Sequence, residues 1–304
     1  MLHKITRSLR AFARGLRSNL EAPLVAPAPG TPPSIGLALG GGFARGLAHV
    51  GVLKVLEEEG IPVNFIAGTS VGAVIGAAYC SGISAKELEE IAALVRFKDF
   101  ARWTLSRYGI ASNDRMTRFL GKMLKCRRFE ELKVPLAVAA TDFTTGEGVV
   151  FRSGPLVDAV RASCAYPGMF LPVNVGGRLL VDGMLAHAVP TVPLRQMGAE
   201  RVIAVYLSAH WVNLSGPRHV FDVIGQCFSI AQQKMCGVWE AAADVVLQPD
   251  VRGFSYDGFD RAPELIRAGE AAARLALPAI RQWLAPPQTA ALLPGIKAQT
   301  PSPA

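Results

Sequence analysis

Ser70 stands in Gly68-Thr69-Ser70-Val71-Gly72, after the apolar run from Val63 to Ala67 and before the small-residue run from Ala73 to Tyr79. A strand that turns sharply into a helix with one side chain exposed at the corner needs residues without bulk two positions to either side. Gly68 and Gly72 meet that need, and the G-x-S-x-G spacing is that of the nucleophile elbow of serine hydrolases. The helix that follows adds a partial positive charge, which favours a developing alkoxide. The same pentapeptide also describes a plain strand-to-helix turn, so its chemistry depends on partners elsewhere in the chain.

Such a serine requires a base, an oxyanion site and shelter from water. Of the five histidines, His3 lies near the N-terminus and His49 lies one turn into a helix, where it packs or caps. His187, His210 and His219 follow Ser70, and chain order excludes none of them as a triad base. A carboxylate can do the same work if it is held against the hydroxyl in a poorly hydrated place, which raises its proton affinity. Asp182 has that setting: it ends Leu179-Leu180-Val181, precedes Gly183 and has no lysine or arginine within three residues. An aspartate before glycine also fits an ordinary turn cap.

The third part is Gly40-Gly41-Gly42-Phe43-Ala44-Arg45-Gly46, after the short apolar strand from Ser34 to Leu39. Consecutive glycines let backbone N–H groups point into one concavity, so the loop suits an oxyanion or a phosphate. Walker-type use is disfavoured because no Gly-Lys-Ser/Thr follows. A dinucleotide fingerprint competes. The spacing G-G-G-x-x-R-G counts against it, and so does a second strand ending in Gly68-Thr69-Ser70 where a ribose-binding acid is wanted. Arg45 either orients the loop or is a first-turn surface residue.

These residues need a scaffold. Strand, glycine loop, helix over Leu47–Glu59 and the Ser70 strand form one βαβ unit, which predicts a parallel pair with both glycine-rich turns side by side at the carboxyl edge of a sheet. Ser84 with Glu87 forms a capping box for a helix through Val95. The segment from Arg96 to Arg128, with Phe97, Phe100, Trp103 and a helix from Asp114 to Leu124, reads as a cap over the site. Further strands are expected at Leu136–Thr141, Val149–Arg152, Val173–Val175, Leu179–Val181, Arg201–Leu207 and Val245–Leu247. Helices are expected from Pro155 to Ser163, Val220 to Ala243 and Glu264 to Leu284.

At 304 residues the chain suits one α/β domain with extensions. Its net charge of +8 is concentrated at the start, where residues 1–20 hold Lys4, Arg7, Arg10, Arg14 and Arg17 and no acid. This distribution does not point to nucleic acid. With Leu2, Ile5, Leu9, Phe12, Leu16 and Leu20 between the cations, residues 1–21 read as a basic amphipathic helix suited to an anionic membrane surface. Residues 22–33 hold five prolines and read as a linker, residues 34–285 as the globular domain, and the proline-rich 286–304 as a disordered tail. Five cysteines in apolar segments with no C-x-x-C pair point to reduced thiols and to no metal site. No stretch reads as a membrane span or a secretory signal, so a cytoplasmic protein, peripheral at the inner membrane, is expected.

The three chemical blocks, taken with Ala162-Ser163-Cys164-Ala165-Tyr166-Pro167-Gly168-Met169-Phe170-Leu171-Pro172 and Val181-Asp182-Gly183, resemble the bacterial patatin-like phospholipases over about Ser34–Leu284. Ala140-Thr141-Asp142 and Thr145-Gly146-Glu147 add to the likeness. The resemblance implies a three-layer α/β/α domain with a mainly parallel central sheet. It also implies a Ser70–Asp182 dyad and an oxyanion and substrate loop over Gly40, Gly41, Gly42, Arg45 and Gly46, with neither metal nor cofactor. The implied activity is that of a phospholipase A or lysophospholipase-like esterase acting on phospholipid, lysophospholipid or another fatty-acyl ester. Met184 and His187 depart from the small residue and the asparagine common in the family after Asp-Gly. Two rivals use the same residues differently: a phosphate- or dinucleotide-binding α/β protein, and a non-catalytic membrane-associated adaptor on the same fold.

Overall fold

The computed structural model describes residues 32–106, 109–207, 216 and 220–285. In chain order its elements are β1 (Ile35–Leu39), α1 (Ala48–Glu58), β2 (Phe65–Thr69), α2 (Val71–Cys80), α3 (Ala85–Leu94), β3 (Arg102–Ser106), β4 (Gly109–Ser112) and α4 (Asp114–Met123). There follow β5 (Leu136–Asp142), β6 (Gly148–Phe151), α5 (Leu156–Ser163), β7 (Gly168–Phe170), β8 (Val173–Val175), β9 (Arg178–Asp182) and α6 (Thr191–Gln196). The last are β10 (Arg201–Val205), α7 (Val220–Lys234), α8 (Gly237–Ala241), β11 (Val245–Leu247) and α9 (Ala262–Leu284). The basic helix expected over 1–21, most of the linker, the tail over 286–304 and the histidines His3, His210 and His219 lie outside the described residues.

Strands β11, β10, β1, β2 and β5 run parallel, as the βαβ pattern predicts. The fully buried side chains of β1 alternate. Ile35, Leu37 and Leu39 join a core with α1, α2, α3 and α9 on one face, while Ala38 joins Leu194 of α6 and Trp239 of α8 on the other. On that second face Ala204, Ala38, Ala67 and Ala137 occupy paired positions of β10, β1, β2 and β5. This row of small side chains lets α6 lie close, and helices on both faces complete a three-layer α/β/α domain.

Strand β5 has three partners. β2 pairs with Leu136–Ala139, β9 with Ala140–Asp142, and β6 with Val138–Thr141. Because β6 overlaps both of the others, it must hold one edge of β5 while β2 and β9 follow one another along the opposite edge. The end of β2 and the end of β9 are thereby brought together.

Two expectations are corrected. The helix over Val220–Ala243 is divided into α7 and α8, because helical bonding lapses at Met235-Cys236. The segment expected only as a mixed cap contains β3 and β4, which join β7 in a second, three-stranded sheet. Its strands are three to five residues long, too short to show a periodicity. The capping box on α3 is present, with Ser84 accepting from the Glu87 amide and the Glu87 carboxylate accepting from the Ser84 amide.

Candidate active site

Ser70 links β2 to α2 with φ 55° and ψ −124°, a left-handed conformation that costs a non-glycine residue about 1–3 kcal/mol. The surroundings leave little choice. A Cβ at Gly72 would run into the carbonyl of Leu39, and one at Gly68 into the backbone of Gly72 and Ala73, so only hydrogen fits at either position. The Ser70 carbonyl accepts from the amides of Ala73 and Val74 at 2.8 and 3.1 Å and so starts the helix. Its amide donates to the Ser163 hydroxyl at 2.8 Å.

Asp182 ends β9 opposite Ala140 and is fully buried. Its amide donates to the Ala165 carbonyl at 3.0 Å, its carbonyl accepts from the Thr141 hydroxyl at 2.9 Å, and Oδ1 accepts from the Met184 amide at 3.0 Å. Oδ2 is sealed from solvent with no well-aligned donor among the described residues. Burial pushes the carboxyl up to about 7, against the opposing effects of the Met184 amide and the adjacent Ser70 hydroxyl. An acid held near 7 beside a serine hydroxyl is suited to taking its proton at neutral pH. Asp182 thus caps the turn through Met184 and also faces Ser70.

The Cys164 thiol is the second side chain against the Ser70 hydroxyl, and burial followed by the Asp182 charge pushes its pKa well up. It stays protonated. His187 is elsewhere: its ring lies against Gly148 at the start of β6, on the edge of β5 away from β2, and burial lowers its pKa. Only its backbone serves the elbow, with the carbonyl accepting from the Thr69 hydroxyl at 2.7 Å.

The glycine loop lies beside the elbow as expected, with the position of a Gly41 Cβ 3.5 Å from Ser70 Cβ. Its amides are not equivalent. Gly40 donates to Val205 O at 3.1 Å, Gly41 to Ala188 O at a long 3.3 Å, and Ala44 to Tyr256 O at 3.0 Å. The Gly42 N–H meets no acceptor among the described residues. The buried His49 binds the Gly40 carbonyl through Nε2 at 2.8 Å, and burial lowers its pKa to about 4, so it is neutral and structural. Arg45 is buried, which removes the surface reading: its Nε donates to Phe254 O at 2.9 Å, and burial lowers it to about 10. Gly46 is a packing position, since a Cβ there would collide with the branches of Val71.

Two cavities meet at Ser70 and Phe43. One, of about 100 Å³, is almost wholly apolar and runs between α2, α3 and α4 past Val74, Ile91, Met116 and Phe119. The other is smaller and more polar, and is lined by Gly41, Gly42, Arg45, Ser229 and Gln232. The segment expected as a cap is here, as Phe100 and α4 line the apolar cavity. What sequence reasoning missed is Ser163, Cys164 and Ala165 as neighbours of Ser70 and Asp182. They fall within a block distinguished only by its resemblance, and nothing in their spacing signals the contact.

Among the described residues no group of acidic, histidine or cysteine side chains is placed to hold a metal ion, and no helix is long and apolar enough to cross a membrane. The model of the patatin-like phospholipase family matches residues 37–195, just over half of the chain. An uncharacterised NTE family protein of Mycobacterium tuberculosis is 35% identical over 191 residues, covering 58% of this chain and 49% of that protein. Lysophospholipase NTE1 of Mycosarcoma maydis is 30% identical over 231 residues, covering 72% of this chain and 12% of that protein. The chain thus spans about half the length of the mycobacterial relatives it matches. VipD from Legionella pneumophila shares the fold, with a TM-score of 0.59 at 14% identity over 83% of this chain and 68% of that one.

Proposed function

The chain belongs to the patatin-like phospholipase family, and on that premise we propose that it is a serine lipid acyl hydrolase working through a Ser70–Asp182 dyad. The observation that carries this reading is the position of the Ser70 hydroxyl, beside a buried carboxyl held near 7 and at the junction of an apolar and a polar cavity. A fatty-acyl ester of a polar alcohol has the same division of character.

In the proposed reaction Asp182 accepts the Ser70 proton as Oγ attacks the ester carbonyl. The acyl chain occupies the apolar cavity and the head group the polar one. The Gly42 N–H, without an acceptor among the described residues, is the donor for the developing oxyanion, and the Gly41 N–H turns to it from its long bond with Ala188. The alcohol leaves with the proton from Asp182, which then activates water to release the fatty acid from Ser70. Phospholipid, lysophospholipid or a related acyl ester is the proposed substrate. Residues 1–21 are proposed to bring the enzyme to anionic membranes.

A phosphate or dinucleotide cradle needs several converging N–H groups, whereas the Gly40 and Ala44 amides of this loop donate to the backbone carbonyls of Val205 and Tyr256. A non-catalytic adaptor has no use for a carboxyl buried against the elbow at the cost of its charge. The test is mass spectrometry of a native lipid extract incubated with the protein and with Ser70→Ala. Fatty acid released by the parent alone supports the reading, and equal release by both, or by neither, refutes it.

A further inference from the structure

The block Ala162–Pro172 has no part in the reaction as described, yet three of its consecutive residues contact the dyad. Ser163 closes α5 and is fully buried. Its hydroxyl accepts from the Ser70 amide at 2.8 Å, the Cys164 thiol lies against the Ser70 hydroxyl, and the Ala165 carbonyl accepts from the Asp182 amide at 3.0 Å. One turn of chain thus touches the nucleophile's backbone, the nucleophile's side chain and the base's backbone.

The Ser163 bond matters most, for a reason that begins with Ser70. Its amide stands at the start of α2, where no intrahelical acceptor exists, and its backbone is in the left-handed region. A buried N–H in that place must find an acceptor from outside the helix or the turn relaxes. Ser163 Oγ is that acceptor. We propose that Ser163 is a positioning residue, whose hydroxyl holds the strained elbow so that Ser70 Oγ stays in reach of Asp182, while Ala165 fixes Asp182 from the same turn.

This inference rests on the hydrolase reading, and the experiment separates the two. The full-length parent, Ser163→Ala, Ser163→Thr and Ser163→Cys are treated with a fluorophosphonate, and the labelling rate of Ser70 per folded molecule is measured together with kcat, KM and the pH profile on a short-chain ester. A displacement of about 1 Å at a reacting atom costs on the order of 100-fold. Ser163→Ala is expected to lose about that factor in kcat and in labelling rate, with KM within about threefold. The acid limb of its kcat/KM profile should move to higher pH, because Asp182 loses a hydroxyl that favours its charged form. Ser163→Thr, which keeps the acceptor, should recover most of the loss. If Ser163→Ala does not fold, Ser163→Cys, with a weaker acceptor of similar size, should show an intermediate loss.

A parent that is not labelled overturns the hydrolase reading and this inference with it. A labelled parent with Ser163→Ala, or Ser163→Cys where alanine fails to fold, at the parental rate and with an unmoved acid limb overturns this inference alone. A lower melting temperature without those changes would mark Ser163 as merely structural and overturn it equally.

Discussion

Ser70 and Asp182, distant in the sequence, meet because they are placed by consecutive residues of one strand. Thr69 pairs with Ala139 and Asp182 with Ala140, and β2 ends where β9 arrives on the same edge of β5. The two strands approach from opposite directions, so the corner after one and the terminus of the other face a common point. A slip of one residue in either pairing would turn the side chains to the other face of the sheet.

The first prediction separates chemistry from strain at Ser70. Ser70→Ala and Ser70→Gly should both abolish ester turnover. Glycine accepts the positive φ that alanine does not, so Ser70→Gly should be the more stable of the two by about 1 kcal/mol. Denaturant unfolding of both variants measures it, and an alanine variant more stable than the glycine one would contradict the strain.

The second concerns pH. With Asp182 held near 7 by burial, kcat/KM should rise with pH and level off above about 7. Its folded pKa lies above the unfolded value of 3.8, so between these the folded state binds the extra proton. This group's contribution to stability is therefore full below about pH 4 and is lost as pH rises through 7, by a few kcal/mol in order of magnitude. Comparing the stability of the parent and Asp182→Asn at pH 5 and pH 8 isolates it. Asp182→Asn should be as inactive as Ser70→Ala, whereas His187→Gln, with its ring against Gly148, should keep activity within a few-fold. A loss at His187 equal to that at Asp182 would argue for a histidine base.

The third addresses the apolar cavity. Val74 lines it from α2, and Val74→Trp fills it without touching the dyad. Turnover of a long-chain ester should fall at least about tenfold, while that of an acetyl ester stays within about threefold. Parallel losses on both esters would place the acyl chain elsewhere.

The fourth concerns residues 1–30. Their deletion should leave hydrolysis of a soluble short-chain ester unchanged while lowering binding to anionic vesicles and turnover of long-chain lipid in them. The binding that is lost should weaken with salt, since exposed charges are screened over about 8 Å at physiological ionic strength. Vesicle sedimentation of both forms at low and high salt decides it, and equal binding by both would refute the role.

The sequence by itself determined the local pieces of this protein. Residues without bulk around Ser70 dictate an elbow, since only hydrogen fits at Gly68 and Gly72. Short continuous apolar runs and the Ser84 capping box dictate which segments are strand or helix, and the order strand, loop, helix, strand dictates a parallel pair with adjacent loops. Those are short-range constraints, carried by neighbours in the chain. The tertiary structure alone decided which long-range partners meet. His187 and Asp182 were both eligible as neighbours of Ser70, and the structure sets the His187 ring against Gly148 of β6 on the far edge of β5 while β9 brings Asp182 along the near edge. Arg45, legible as surface or as loop support, is buried and donates to the carbonyl of Phe254, which comes from a distant loop. The contacts of Ser163, Cys164 and Ala165 have no periodicity or spacing to signal them, because they arise where the end of α5 meets an elbow nearly a hundred residues earlier. A residue's type can be read from the chain, but the burial that lifts Asp182 towards 7 exists only once the sheet is packed on both faces.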